Sequence, residues 1–129
     1  MGKRHAPSLM RQIRRELKEG ASPESIFPKV KAIEDPYYRS LSFYLLIPYF
    51  SPKDKKCKES ISLSNKDIEK VQQPWRRVEL IGSISKILKS VSDTRLQRQL
   101  FSSMLEKIKI EKSKEIKDFL LKYTKHFPE

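Results

Sequence analysis

Glycine occurs three times in this 129-residue chain, histidine twice and cysteine once. So little glycine argues against a turn-rich β fold and suits helices, whose interiors glycine weakens. The lone Cys57, in the run KDKKCKES, excludes an internal disulfide, and no set of metal ligands surrounds it. His5 and His126 stand near opposite ends, in neither a metal nor a catalytic pattern, and read as ordinary surface residues. No apolar run is long enough to cross a membrane. The opening MGKRHAPSLMRQIRREL is basic but lacks the apolar stretch of a signal peptide, so the expected location is intracellular, by default the cytoplasm. The chain also lacks a Ser/His/acid grouping, a glycine-rich phosphate loop and any pair with metal-ligand spacing. No enzyme, cofactor or metal is expected from it.

One kind of charge is in excess. Lys and Arg number 28 against 16 Asp and Glu, a net charge of +12 with a pI near 9.9. That imbalance favours polyanionic partners: RNA, DNA, an acidic protein face or anionic lipid. A hydrophobic fraction of 37% with 34% charged residues is compatible with disorder by totals alone. Here the apolar residues are periodic, so a folded helical domain is expected instead. The length suits one domain, residues 1–129, with a core of its own. The many Lys and Ile and few Gln, with charges of both signs, give a thermophile-like texture.

The apolar spacing predicts six or seven short helices and an all-α fold. Helix one is expected over 7–19, opened by Pro7 and stopped by Gly20, with Leu9, Met10, Ile13 and Leu17 as its stripe. Ser22-Pro23-Glu24 opens a second, which either starts anew or kinks at Pro28. Asp35-Pro36 starts a third over 36–47, apolar nearly all round and therefore the central one. Residues 51–66 are polar: Ser51-Pro52 offers a cap for another helix, while the Ser/Asn cluster at 62–65 reads as a connection, with Ser64 or Asn65 capping a short helix that carries Ile68 and Val71. Further helices follow over 74–89, 94–109 and 114–126, capped by Gln73, Asp93 and Ser113.

Part of the chain occurs twice. VKAIEDPYYRSLSFYLLIPYF (30–50) and IEKVQQPWRRVELIGSISKIL (68–88) align at an offset of 38 residues. Pro36 then matches Pro74, Tyr37 matches Trp75, Arg39 matches Arg77 and Leu46 matches Ile84. A degraded third copy begins near Val91, with Asp93, Leu100 and Met104 in register. Self-similarity at such a period is how arrays of helix pairs look in sequence. An apolar position, Asp-Pro, two variable residues, Arg and an amphipathic helix is carried by Ile33, Asp35, Pro36, Arg39, Leu41 and Leu45. It recurs as Val71, Pro74, Arg77, Leu80 and Ile84, with Gln73 a weaker cap than Asp35. Over residues 22–108 this resembles the short helix-pair repeats of the HEAT and tetratricopeptide kind, and in texture small archaeal proteins built this way. The resemblance implies stacked helical hairpins, as an α-solenoid or a compact bundle, serving as a binding scaffold.

Recurrence at one repeat position is what a packing role predicts. Arg39 and Arg77 are therefore expected to donate to helix-end carbonyls or to a carboxylate of the next repeat. Tyr37 and Trp75 are expected to pack, with stacking on a nucleobase as the functional alternative. Arg76 has no arginine counterpart, since Tyr38 stands at its position, and is the better candidate for an external ligand. The remaining cations concentrate in two regions. Arg11, Arg14, Arg15 and Lys18 can share a face of helix one, while Lys86 with Lys89 and Arg95 with Arg98 lie three residues apart on helices five and six. If these faces join, they form a phosphate-binding stripe; otherwise they are solvated helix surface.

Two functions fit. One is a basic adaptor that contacts nucleic acid through its phosphates, with RNA or ribonucleoprotein favoured over DNA because no recognition-helix motif is evident. The other is a protein-interaction scaffold that binds an acidic partner or self-associates as a homo-oligomer. A membrane partner is the weakest reading, because the apolar stripe of helix one is narrow and needed for packing.

Overall fold

The computed structural model describes residues 6–122. Among these are seven α-helices and no strand, so the chain is all-α. In order they are α1 (Ala6–Lys18), α2 (Pro23–Lys31), α3 (Pro36–Leu46), α4 (Lys55–Lys70), α5 (Pro74–Leu88), α6 (Thr94–Lys109) and α7 (Lys114–Leu121), with a 3-10 turn over Ile47–Tyr49 after α3. Contacts divide the chain into two compact units that meet in sequence at Val71 and Gln72. The first holds α1–α4 and the second α5–α7. The segment expected to extend the last helix, with Tyr123, His126 and Phe127, and the N-terminal His5 lie outside the described residues.

Local chemistry sets the boundaries. The first unpaired amides are taken up by Asp35, which accepts from Tyr37 N at 2.9 Å, by Asp54 from Lys56 N at 2.8 Å and by Asp93 from Leu96 N at 2.8 Å. Ser22 and Ser113 cap α2 and α7 in the same way, at 3.2 and 3.5 Å. Gln73 makes no such bond, as its weaker capping chemistry predicts. Pro23, Pro36 and Pro74 occupy first helical positions, where the missing N–H costs nothing. Gly20, at φ +102°, supplies the left-handed turn that ends α1. Pro28 neither starts nor breaks α2; the helix runs from Pro23 to Lys31 through it.

In the first unit α3 packs against α1, α2 and α4. Every residue from Ser40 to Ile47 is buried. Burial of side chains such as Phe43, Tyr44 and Leu46 contributes about 1.5–3 kcal/mol each. Ile13 and Leu17 of α1, and Ile26, Phe27 and Val30 of α2, close over this helix. In the second unit α5, α6 and α7 pack pairwise, burying Ile81, Ile84, Leu88, Met104, Ile108 and Leu120.

The expectation for residues 51–66 is corrected. The cluster at 62–65 is not a connection: residues 55–66 form most of α4, a sixteen-residue helix capped by Asp54 rather than by Ser51. Ser64 and Asn65 are interior to it rather than caps. The inward face is small and polar: Cys57, Ser60, Ser64 and Asp67 are all buried, alongside Ile68. Ser64 Oγ lies 2.7 Å from Ser40 Oγ and donates to Ser40 O at 3.0 Å, while Ser60 Oγ donates to Lys56 O at 2.7 Å. These bonds satisfy buried hydroxyls that would otherwise destabilise the unit. Two facing serines also let α3 and α4 approach closely, since neither helix presents a large side chain there.

Candidate nucleic-acid interface

Arg39 and Arg77 are structural, and each works inside its own unit. Arg39 donates from Nε and Nη2 to the two carboxylate oxygens of Asp67 in α4, at 2.8 and 2.7 Å, and from Nη1 to Ile33 O at 3.0 Å. Arg77 donates to both carboxylate oxygens of Glu111, just beyond α6, at 3.1 Å, and to Gln72 O at 3.1 Å. Each guanidinium thus takes a carboxylate from a later segment and a carbonyl from the strand of chain leading into its own helix, a use that suits its planar fork of donors. The hydrogen bonds to Asp67 push the Arg39 pKa up against the opposing effect of burial.

The cations of α1 form one continuous stripe. Arg11, Arg14, Arg15 and Lys18 follow the i, i+3, i+4, i+7 pattern of a single helix face, and all four are exposed. The opposite face, with Ile13 at 2% and Leu17 at 4% exposure, is committed to the core and is not available to lipid. No described carboxylate pairs with any of the four cations. Glu16 of the same helix turns the other way and accepts from Lys29 Nζ at 3.1 Å and from Gln12. The Lys29 bond holds the Glu16 carboxyl below its usual range. Like charges at these spacings cost an isolated helix about 0.2–0.5 kcal/mol per pair. Arg15 and Lys18, in the last turn, recover part of this from the helix dipole; Arg11 and Arg14 do not.

In the second unit Lys86 and Lys89 lie at the C-terminal end of α5 and Arg95 and Arg98 at the start of α6. The two ends are held together: Gln97 Nε2 donates to Leu88 O at 2.9 Å. All four cations are therefore gathered at one end of the α5–α6 hairpin, all are exposed, and none has a carboxylate partner among the described residues. Thr94, Arg95, Arg98, Gln99 and Ser102 line an open depression of about 620 Å³ along one face of α6. Guanidinium, hydroxyl and amide groups border it, a set suited to anionic oxygens. Lys86 and Lys89 have a sufficient reason to stand at a helix C-terminus, where cations are favoured. Arg95, in a first turn, is placed against the dipole and has no such reason.

Arg76 is half-buried, and its side chain is not without a partner. The two basic faces are each complete within a unit.

Sequence reasoning missed a third gathering of charge. Lys31, the last residue of α2, and Lys56, in the first turn of α4, both stand over the Phe27 ring, 5.6 and 4.8 Å from its centroid. The KDKK run is visible in the sequence, but nothing local shows that α4 brings Lys56 over Phe27 of α2.

Trp75 departs from the packing expectation. It is 49% exposed and meets Phe119 of α7 edge-on, with centroids 5.5 Å apart and planes at 80°. Its counterpart Tyr37 is half-buried and meets Tyr38 edge-on.

Among the described residues no group of three or more His, Cys, Asp or Glu is placed to hold a metal ion, and no helix is long and apolar enough to cross a membrane. No family model, curated protein or solved structure matches the chain.

Proposed function

We propose that this protein is a non-catalytic, basic helical adaptor that binds nucleic acid through its phosphates, RNA or ribonucleoprotein in preference to DNA. The observation that carries this reading is the α1 stripe: four exposed cations on one face, unpaired with any described carboxylate, and kept there at a cost to helix stability. A surface kept only for solubility would intersperse the two signs, whereas here the acid of α1 is spent on Lys29. The α5–α6 cluster offers a second set of phosphate contacts of the same chemistry. Stacked helix pairs of the repeat kind would be the scaffold that presents them.

The test is fluorescence anisotropy with generic single-stranded RNA, duplex RNA and duplex DNA across a salt series. Binding with a steep negative salt slope is expected, shallower by about 0.7–0.9 for each phosphate contact removed. The triple reversal Arg11→Glu, Arg14→Glu, Arg15→Glu should abolish most of it. Unchanged binding in that variant would refute the stripe. No binding of the native protein at low salt would leave the positive charge to an acidic protein partner, the reading in which the helices scaffold a protein complex.

A further inference from the structure

The exposed pair Trp75 and Phe119 is not accounted for by phosphate binding. Trp75 is the chain's one tryptophan, and an indole is the side chain with most to gain from burial. Here half of it is left in water, and the ring it rests against is itself 37% exposed. In an edge-on pair, one ring gives its edge and the other a face, so Phe119 can cover at most one face of the indole. The contact leaves about half of the residue's surface open to solvent. A cation adjoins: Lys122 Nζ stands 5.7 Å from the Phe119 centroid. Aromatic faces for bases beside cations for the backbone are the elements of a single-strand binding surface. The charge of the chain, +12, favours a polyanionic occupant over an apolar protein partner.

Resting on the nucleic-acid reading above, we propose that Trp75, steadied by Phe119, is a stacking platform for an unpaired base, with Lys122 contacting an adjacent phosphate. The protein would then distinguish single strands from duplexes, whose bases present no free face.

The intact chain carries its own reporter, since Trp75 is its only indole. A labelled 12-nucleotide oligouridylate and an RNA hairpin duplex are titrated in parallel, following Trp emission and anisotropy. The single strand should quench the emission and the duplex should leave it nearly unchanged. Trp75→Ala should weaken oligouridylate binding by about 5- to 150-fold, the range for one stacked base, and leave duplex binding unaltered. Trp75→Phe, which keeps a ring and guards against a folding defect, should retain most of the single-strand affinity. Binding by anisotropy with no quenching and no effect of Trp75→Ala would overturn the platform and leave the phosphate reading standing. Failure of both nucleic acids to bind would overturn both. Emission already blue-shifted without ligand, and red-shifting on dilution, would show that a second copy of the chain covers the indole instead.

Discussion

Arg39 and Asp67 meet across 28 residues of sequence in a fork-on-fork pair, and their exposures are unequal: 23% for the arginine side chain, 4% for the aspartate. The inequality makes the pair asymmetric to mutation. Arg39→Met strands a buried carboxylate, with only Lys70 Nζ at 3.8 Å to replace the guanidinium. It should destabilise the protein by about 3 kcal/mol, the low end for a broken buried pair. Asp67→Asn leaves a guanidinium that can turn toward water and should cost about half as much. Urea denaturation of the two variants checks the order.

Arg95 offers a variant in which stability and binding should move in opposite directions. It sits in the first turn of α6 with no acidic residue there. Arg95→Glu replaces a cation by an anion at the positive end of the helix dipole, a gain of about 0.5 kcal/mol in stability. The same change should weaken RNA binding, because it reverses a charge in the α6 depression. Lys86→Glu at the end of α5 should lower both. Thermal melts beside anisotropy titrations separate the two cases.

The Ser40–Ser64 contact sets the distance between α3 and α4. Ser64→Ala removes hydroxyl bonds at little steric cost and should lose about 1 kcal/mol. Ser64→Leu forces the helices apart and should lose more, about 2–3 kcal/mol from overpacking. A reversal of that order in chemical denaturation would mean that the two helices do not meet closely there.

Tyr44 is fully buried and donates to Asn65 Oδ1 at 3.1 Å, and burial pushes its pKa well above the ordinary phenol value. The folded protein therefore keeps this proton at pH values where the unfolded chain has begun to lose it. Above about pH 10 the unfolded state binds fewer protons than the folded one, so stability falls as pH rises. Tyr44→Phe should lose about 1 kcal/mol near neutrality and show a shallower alkaline decline. Denaturation curves at pH 8 and pH 11 for both proteins measure the difference in slope.

Most of the helices were legible because their signals are local. Asp35-Pro36, Asp93 and Ser113 announce starts, and the stripes of α5 and α6 repeat at helical spacing. The role of Arg39 and Arg77 was legible from their recurrence, although nothing in sequence pointed to Asp67 or Glu111 as partners. The fourth helix was legible only at its C-terminal end, around Ile68, and its full length was not. Its inward face is Cys57, Ser60, Ser64 and Asp67, which a periodicity argument counts as polar surface. Only the facing Ser40 and Arg39, which bond to two of them, make that face a core. The exposure of Trp75 was hidden for the same reason, since it depends on where Phe119 of α7 comes to rest. The basic stripe of α1 was visible because one helix contains all of it, whereas the approach of Lys31 and Lys56 needed two.

The buried face of α4 carries a built-in clock. Cys57 has no exposed surface, and burial pushes its thiol pKa up, so the native protein should ignore a thiol reagent. Whatever slow labelling occurs must pass through an opening of the first unit that exposes that side chain. With one thiol in the chain, the labelling rate needs no deconvolution. Its change when RNA is added would report how far a ligand held on the outer face of the unit tightens its interior.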